Sequence, residues 1–187
     1  MDRSSRTSTT RLAVGLVAAV GLLSLLAHSP DLQRLLDPVN LLLAQVVEYL
    51  VTRSGMATTR TGIVLMHPDG FGYRIDYLCS GFQPWLLITV TILAVRATWP
   101  QRLGGILVAL VCVETFNVGR LVHLYWLGVH WPEAYDAGHD VVWNVLAVIT
   151  GLAYLGAWLT ITGERIGGDE SKSMTAHVAQ RTALSTR

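Results

Sequence analysis

The chain has 187 residues, 51% of them hydrophobic and 14% charged, with a formal net charge of +1. A mean hydropathy of +0.44, with several apolar runs near the ~20 residues that cross a hydrocarbon core, marks an integral membrane protein and not a soluble domain. Its 14 basic and 13 acidic residues nearly balance, and without a basic patch they exclude nucleic acid as a partner.

In chain order, the apolar runs are Leu12 to Ala27, Phe82 to Trp99, Leu103 to Gly128 and Val141 to Ile161. Four spans of this size make one small helical bundle, a single domain over residues 1–162. Arg3, Arg6 and Arg11 precede the first run, Arg96 and Arg102 flank the second turn, and Arg165 and Lys172 follow the last run. The positive-inside rule therefore puts both termini in the cytoplasm of a multi-pass plasma (inner) membrane protein. Residues 28–81 and 129–140 then face the extracytoplasmic side. The opening also has the look of a secretory signal peptide, but Ser24-Leu25-Leu26-Ala27-His28 lacks a small-x-small cleavage site, so a retained anchor is expected.

Between the first two runs, Leu32, Leu35, Leu36, Val39, Leu42, Leu43, Val46, Val47 and Leu50 follow helical spacing, with Asn40, Gln45 and Glu48 on other faces. This pattern predicts a helix over 32–51 lying in the interface, with a tilted crossing as the alternative. Residues 62–77 predict a short extracytoplasmic β-hairpin. His67-Pro68-Asp69-Gly70 is a turn signal, and Phe71, Tyr73, Ile75 and Tyr77 alternate with Gly72, Arg74 and Asp76. Residues 163–187 are Gly-, Ser- and charge-rich and are expected to form a disordered cytoplasmic tail. The fold class is thus an all-α membrane protein, with about four spans, the 32–51 helix and the hairpin.

Three residues stand out for chemistry. Cys79 lies in Cys79-Ser80-Gly81-Phe82-Gln83-Pro84, where Gly81 permits a tight turn and Pro84 suits the first turn of a helix. A thiol at such a helix start is expected to have a lowered pKa and amides nearby to hold an oxyanion. Its bland alternative is a buried cysteine in a capping turn. Arg120 lies inside a hydrophobic span, where an arginine costs several kcal/mol without a partner or water. Glu114, Asn117 and Arg120 recur every third residue and share one face, expected to turn inward. The alternative is an arginine snorkelling to the headgroups or paired with Glu114. His139 opens the last span on the outer side, where its imidazole can take a thiol proton and return it to a leaving amine; alone, it could equally be polar packing. Cys112, about 12 Å of helix deeper than Arg120, is expected to be an inert core residue. His123, His130, His139 and Asp136 lack zinc-site spacing, so no metal and no cofactor are called for.

Cys79-Ser80-Gly81 at one helix start, Asn117-Val118-Gly119-Arg120 in the next span and His139 opening the last one resemble, in that order, the exosortase/archaeosortase family of membrane cysteine transpeptidases. The stretch Phe116 to Gly128, followed by His139-Asp140-Val141-Val142-Trp143, is most similar to the exosortase H type. This resemblance implies a protein-sorting enzyme that acts on the C-terminal tail of exported proteins, made of a short motif, a transmembrane helix and a basic cluster. Cleavage would occur on the outer side of the membrane, through a thioester that an acceptor amine resolves. The implied roles are Cys79 as nucleophile, Arg120 as catalytic arginine and His139 as acid/base, supported by Asn117, Ser80 and Gly81. Membrane lipids are the other partner. Two further readings remain open: a non-enzymatic scaffold or ion-pathway protein, and a membrane thiol acyltransferase.

Overall fold

A computed structural model describes Gly21, residues 29–95 and residues 97–163. Apart from Gly21, the run Leu12 to Ala27 lies outside the described residues, as do Arg96 and the tail beyond Gly163. The elements are α1 (Pro30–Arg53), strands β1 (Thr59–Thr61), β2 (Val64–Met66) and β3 (Gly72–Arg74), a 3₁₀ turn (Tyr77–Cys79), α2 (Phe82–Ala94) and α3 (Trp99–His130). The chain then turns at Trp131 into α4 (Pro132–Gly163), which contains a π-helical segment over Gly138–Val142.

Helices α1, α3 and α4 are each long and apolar enough to cross a membrane, with 24, 32 and 32 residues. This is a multi-pass, all-α membrane protein carrying one small sheet. Its surface has the polarity that lipid demands. Only 11% of the most apolar stretch of α4 is buried, and Val141, Val145, Val148, Ile149 and Leu152 are all more than half exposed. In water such a face would drive aggregation, whereas in hydrocarbon it needs no covering.

The helix expected over 32–51 is present, and of its two placements the tilted crossing fits the burial better than the interfacial one. Asn40, assigned to a polar face, is 2% exposed, while Leu35 is 72% exposed. The buried stripe of α1 is Leu36, Asn40, Leu43, Ala44, Val47 and Val51, and apolar residues also occupy the outer side. Such a helix has length and composition for a crossing, with Asp37 and Gln45 exposed among the apolar residues of its outward side.

The second apolar run is also divided differently. It yields a helix of 13 residues, about 20 Å long, because Thr98 starts a new helix instead of continuing the old one. The Thr98 side chain and the Gln101 side chain form a capping box at the start of α3, with Pro100 in its first turn. This Thr-x-x-Gln arrangement satisfies amides that a continuous helix would not leave free.

The expected hairpin is present as β2 and β3, and a third strand joins them. All three pair antiparallel in the order β1-β2-β3, with Thr61 opposite Val64 and Leu65 opposite Tyr73. Gly62, at φ +62°, begins the two-residue β1–β2 turn, a position where positive φ suits glycine. Arg60 Nε on β1 lies 2.6 Å from Glu48 Oε2 on α1, tying the sheet to the helix below. The core beneath the sheet contains Leu43, Ala44, Val47 and Val51 of α1, Leu65, Ile75, Cys79, and Leu121 and Tyr125 of α3. A second cluster, Ile88, Ile92, Ala109 and Trp158, joins α2, α3 and α4. The first cluster therefore sets the sheet and Cys79 against the C-terminal third of α3.

Candidate functional site

Cys79 closes the 3₁₀ turn that carries the chain from the sheet into α2. Asp76 starts this turn: its carboxylate accepts from Leu78 N at 3.0 Å and its carbonyl accepts from Cys79 N at 2.9 Å. Ser80 Oγ donates to Tyr77 O at 2.7 Å and accepts from Phe82 N at 3.3 Å, so one hydroxyl closes the turn and caps the next helix. Gly81 has φ +70°, in the left-handed region that favours glycine. It is confined as well: a Cβ added there would lie 2.6 Å from Glu114 Oε1. From α3, Asn117 Nδ2 donates to Cys79 O at 2.7 Å in a buried bond. The Glu114–Asn117–Arg120 face thus turns inward and grips the Cys79-Ser80-Gly81 turn by its backbone.

Cys79 is 7% exposed, and its pKa is pushed up. Burial is the main cause, followed by the negative charge of Asp76; the Asp76 backbone and the Arg120 charge oppose them. The expectation of a helix-start thiolate is therefore corrected. A low-polarity setting disfavours the charged form more than the turn and Arg120 favour it, and the resting sulfur is a protonated thiol. Asp76 was not singled out in the sequence, although an acidic residue three positions before a turn cysteine is the signal for it. Asp76→Asn should lower the Cys79 pKa and speed alkylation by iodoacetamide at neutral pH by about two- to fivefold, because the larger thiolate fraction outweighs its weaker nucleophilicity. Rates measured from pH 6 to 10 would show the profile moving to lower pH.

Arg120 lines an apolar cleft between α2, α3 and α4, together with Asn117, Gly81, Leu78, Phe116 and Tyr154. The ion pairs among the described residues do not include Arg120 or Glu114, so the arginine is not held in a structural pair with that glutamate. Its Nε is buried without a hydrogen-bond partner there, as is Glu114 Oε2. The Tyr73 hydroxyl donates to Leu121 O at 2.9 Å. Burial raises its pKa most, the charges of Cys79, Tyr135 and Tyr125 raise it further, and Arg120 lowers it.

His139 sits in the π-helical segment of α4, where Trp143 N–H bonds to Gly138 O. One extra residue in a turn rotates the rest of the helix by about 100°, and such bulges often occur at functional sites. His139 Nδ1 lies 2.6 Å from Asp140 Oδ1. With Nδ1 engaged, the neutral imidazole presents Nε2 as a base. Cys79 and Arg120 share one electrostatic environment; among the described residues no hydrogen bond joins His139 to either. Its link to them runs through Tyr135, whose ring stacks on the imidazole at 5.8 Å and 20°. Cys112 is exposed and lines the apolar cleft, contrary to the expectation of a core position, because α2 and α4 stand apart from its face of α3 and leave that cleft open.

The family model described as Transmembrane exosortase (EpsH) matches residues 7–162. The chain belongs to the transmembrane exosortase family. No curated protein and no solved structure matches it. Membership gives this exosortase a membrane transpeptidase role in general terms, acting on exported protein substrates.

Proposed function

We propose that this exosortase is a cysteine peptidase and transpeptidase that removes the C-terminal sorting signal of exported proteins through a thioester on Cys79. The observation that supports it most is the setting of Cys79: a buried thiol under the Arg120 charge, its turn held from α3 by Asn117, in a member of this family. The substrate's transmembrane segment would pack at the apolar cleft, leaving its motif at the extracytoplasmic rim beside β3. Pairing along a sheet edge would hold that motif extended.

The thiol proton must leave before attack, and His139 Nε2 is the acceptor. Sulfur then adds to the scissile carbonyl, and the Arg120 guanidinium balances the negative charge that develops on oxygen, a contribution of about 3 kcal/mol for one well-placed donor. Collapse of this adduct breaks the C–N bond. His139 returns its proton to the departing amine, and the acyl group remains on sulfur. An acceptor amine, or water, restores the free thiol.

Co-expression with a tail-bearing substrate, followed by mass spectrometry of the intact enzyme, tests this directly. A thioester adduct on the peptide containing Cys79 is the expected result. Processing that proceeds with the adduct on Cys112, or with none trapped under amine-free conditions while a Cys79→Ala enzyme still cleaves, would exclude it. Transfer of a lipid or glycan acyl group with no cleavage of the tail would favour the acyltransferase alternative.

A further inference from the structure

The hydrogen bond from His139 to Asp140 cannot by itself aim the imidazole. Asp140 is the adjacent residue and its side chain is 71% exposed, so it moves with the segment it would have to brace. A brace must come from elsewhere in the fold, and a chain of aromatic contacts supplies one.

That chain begins in α3. Gly128 leaves a notch that the Phe71 ring fills: a Cβ on Gly128 would lie 2.0 Å from that ring. Phe71 also meets Tyr125 edge-on at 5.9 Å, and Tyr125 is wholly buried with its hydroxyl donating to Ala57 O at 2.9 Å. From this fixed position Phe71 meets the Tyr135 ring edge-on at 5.4 Å and 65°. Tyr135, one turn before His139, lies nearly parallel to the imidazole. Aromatic pairs have preferred geometries and add stabilisation beyond buried area, so each ring restricts the next. The route runs from α3, through the β2–β3 turn, to α4.

We infer that Tyr135 is a positioning residue: its ring, held by Phe71 in the Gly128 notch, fixes the orientation of the His139 imidazole toward the thiol. The inference rests on the reading of His139 as the acid/base. Phe71 meets the Tyr73 ring as well as the Tyr135 ring, and both Phe71 and Tyr73 pack against the buried cluster that contains Cys79, so the same line of rings borders the thiol. The flat ring is the active part, and the phenolic oxygen is dispensable.

The test uses the full chain in membranes with a tail-bearing substrate, comparing Tyr135→Phe, Tyr135→Ala, Tyr135→Leu, His139→Ala and the double variant Tyr135→Ala/His139→Ala. Tyr135→Phe should keep kcat within about threefold. Tyr135→Ala should lower kcat by about 100-fold, the scale of a 1 Å misplacement of a catalytic group, with KM little changed. Tyr135→Leu keeps bulk and apolar packing without a flat ring, so it should lose as much even where the alanine variant accumulates poorly. In the His139→Ala background Tyr135→Ala should cost nothing further, because residues acting as one unit are not additive. A wild-type rate for His139→Ala would remove the acid/base reading itself. Where His139→Ala is impaired, the positioning claim alone is overturned if Tyr135→Leu keeps the wild-type rate, if Tyr135→Phe falls as far as Tyr135→Ala, or if the losses at 135 and 139 multiply.

Discussion

Replacing Cys79 with alanine is expected to abolish thioester formation and reduce tail processing to background, whereas Cys112→Ser should leave both nearly unchanged. The contrast arises from where the two sulfurs sit. Cys79 is buried below the sheet, within the influence of Arg120, on a turn gripped by Asn117 and Glu114. Cys112 is exposed and lines the apolar cleft on the membrane-crossing part of α3, away from the turn that holds Cys79. Alanine at position 79 leaves the backbone bond from Asn117 to Cys79 O available, so the fold should persist. Immunoblotting of the membrane fraction and the ratio of processed to unprocessed substrate would measure the two effects separately. Processing that survives Cys79→Ala and disappears in Cys112→Ser would refute the assignment.

Arg120→Lys should come next in severity, lowering kcat by about 10² to 10³, equivalent to about 2.7–4 kcal/mol of transition-state stabilisation. A lysine keeps the charge but offers a compact ammonium where a planar fork meets the oxyanion, so retained charge is not expected to rescue the rate. The described ion pairs leave Arg120 out, and its Nε has no partner there. Removing it therefore breaks no salt bridge among those residues, and the lysine variant should reach the membrane at wild-type level. Single-turnover acylation of Cys79 is the informative measurement. A tenfold or smaller loss, or a loss explained by poor accumulation, would mean that the guanidinium is structural.

Much of the architecture was legible because membrane crossing imposes a strong, local constraint. The runs Leu103 to Gly128 and Val141 to Ile161 fall within α3 and α4, since only helices satisfy their own backbone in hydrocarbon. The Phe71-Tyr73-Ile75 alternation was readable for a similar reason: one face of the hairpin had to meet the bundle. Polarity read without context was misleading. Asn40 looked like part of a wet face and is buried; Cys112 looked like core and is exposed. The break before α3 did have a local signal in Thr98 and Gln101, but the apolar run through Trp99 concealed it.

The local site was partly legible in the same way. Gly81 must be glycine for a reason confined to its own backbone, and Glu114, Asn117 and Arg120 share a face by helical period alone. The state of the Cys79 thiol was not legible, because it depends on how deeply the sulfur is buried and on how its turn sets the Asp76 carboxylate against it. Nor was Tyr135, whose contact with Phe71 joins residues far apart in the chain.

By itself, the order of residues determined that the chain enters the membrane, where its long helices fall, and which cysteine, arginine and histidine to watch. Both the hydrophobic period and the turn chemistry act over a few neighbouring residues, so they can be read without coordinates. Tertiary structure decided that Asn117 holds the Cys79 turn, that burial and the Asp76 charge raise the pKa of its thiol, and that a line of aromatic rings ends at His139. Those outcomes depend on which side chains meet across α3, the sheet and α4, and on how much polar solvent that meeting removes.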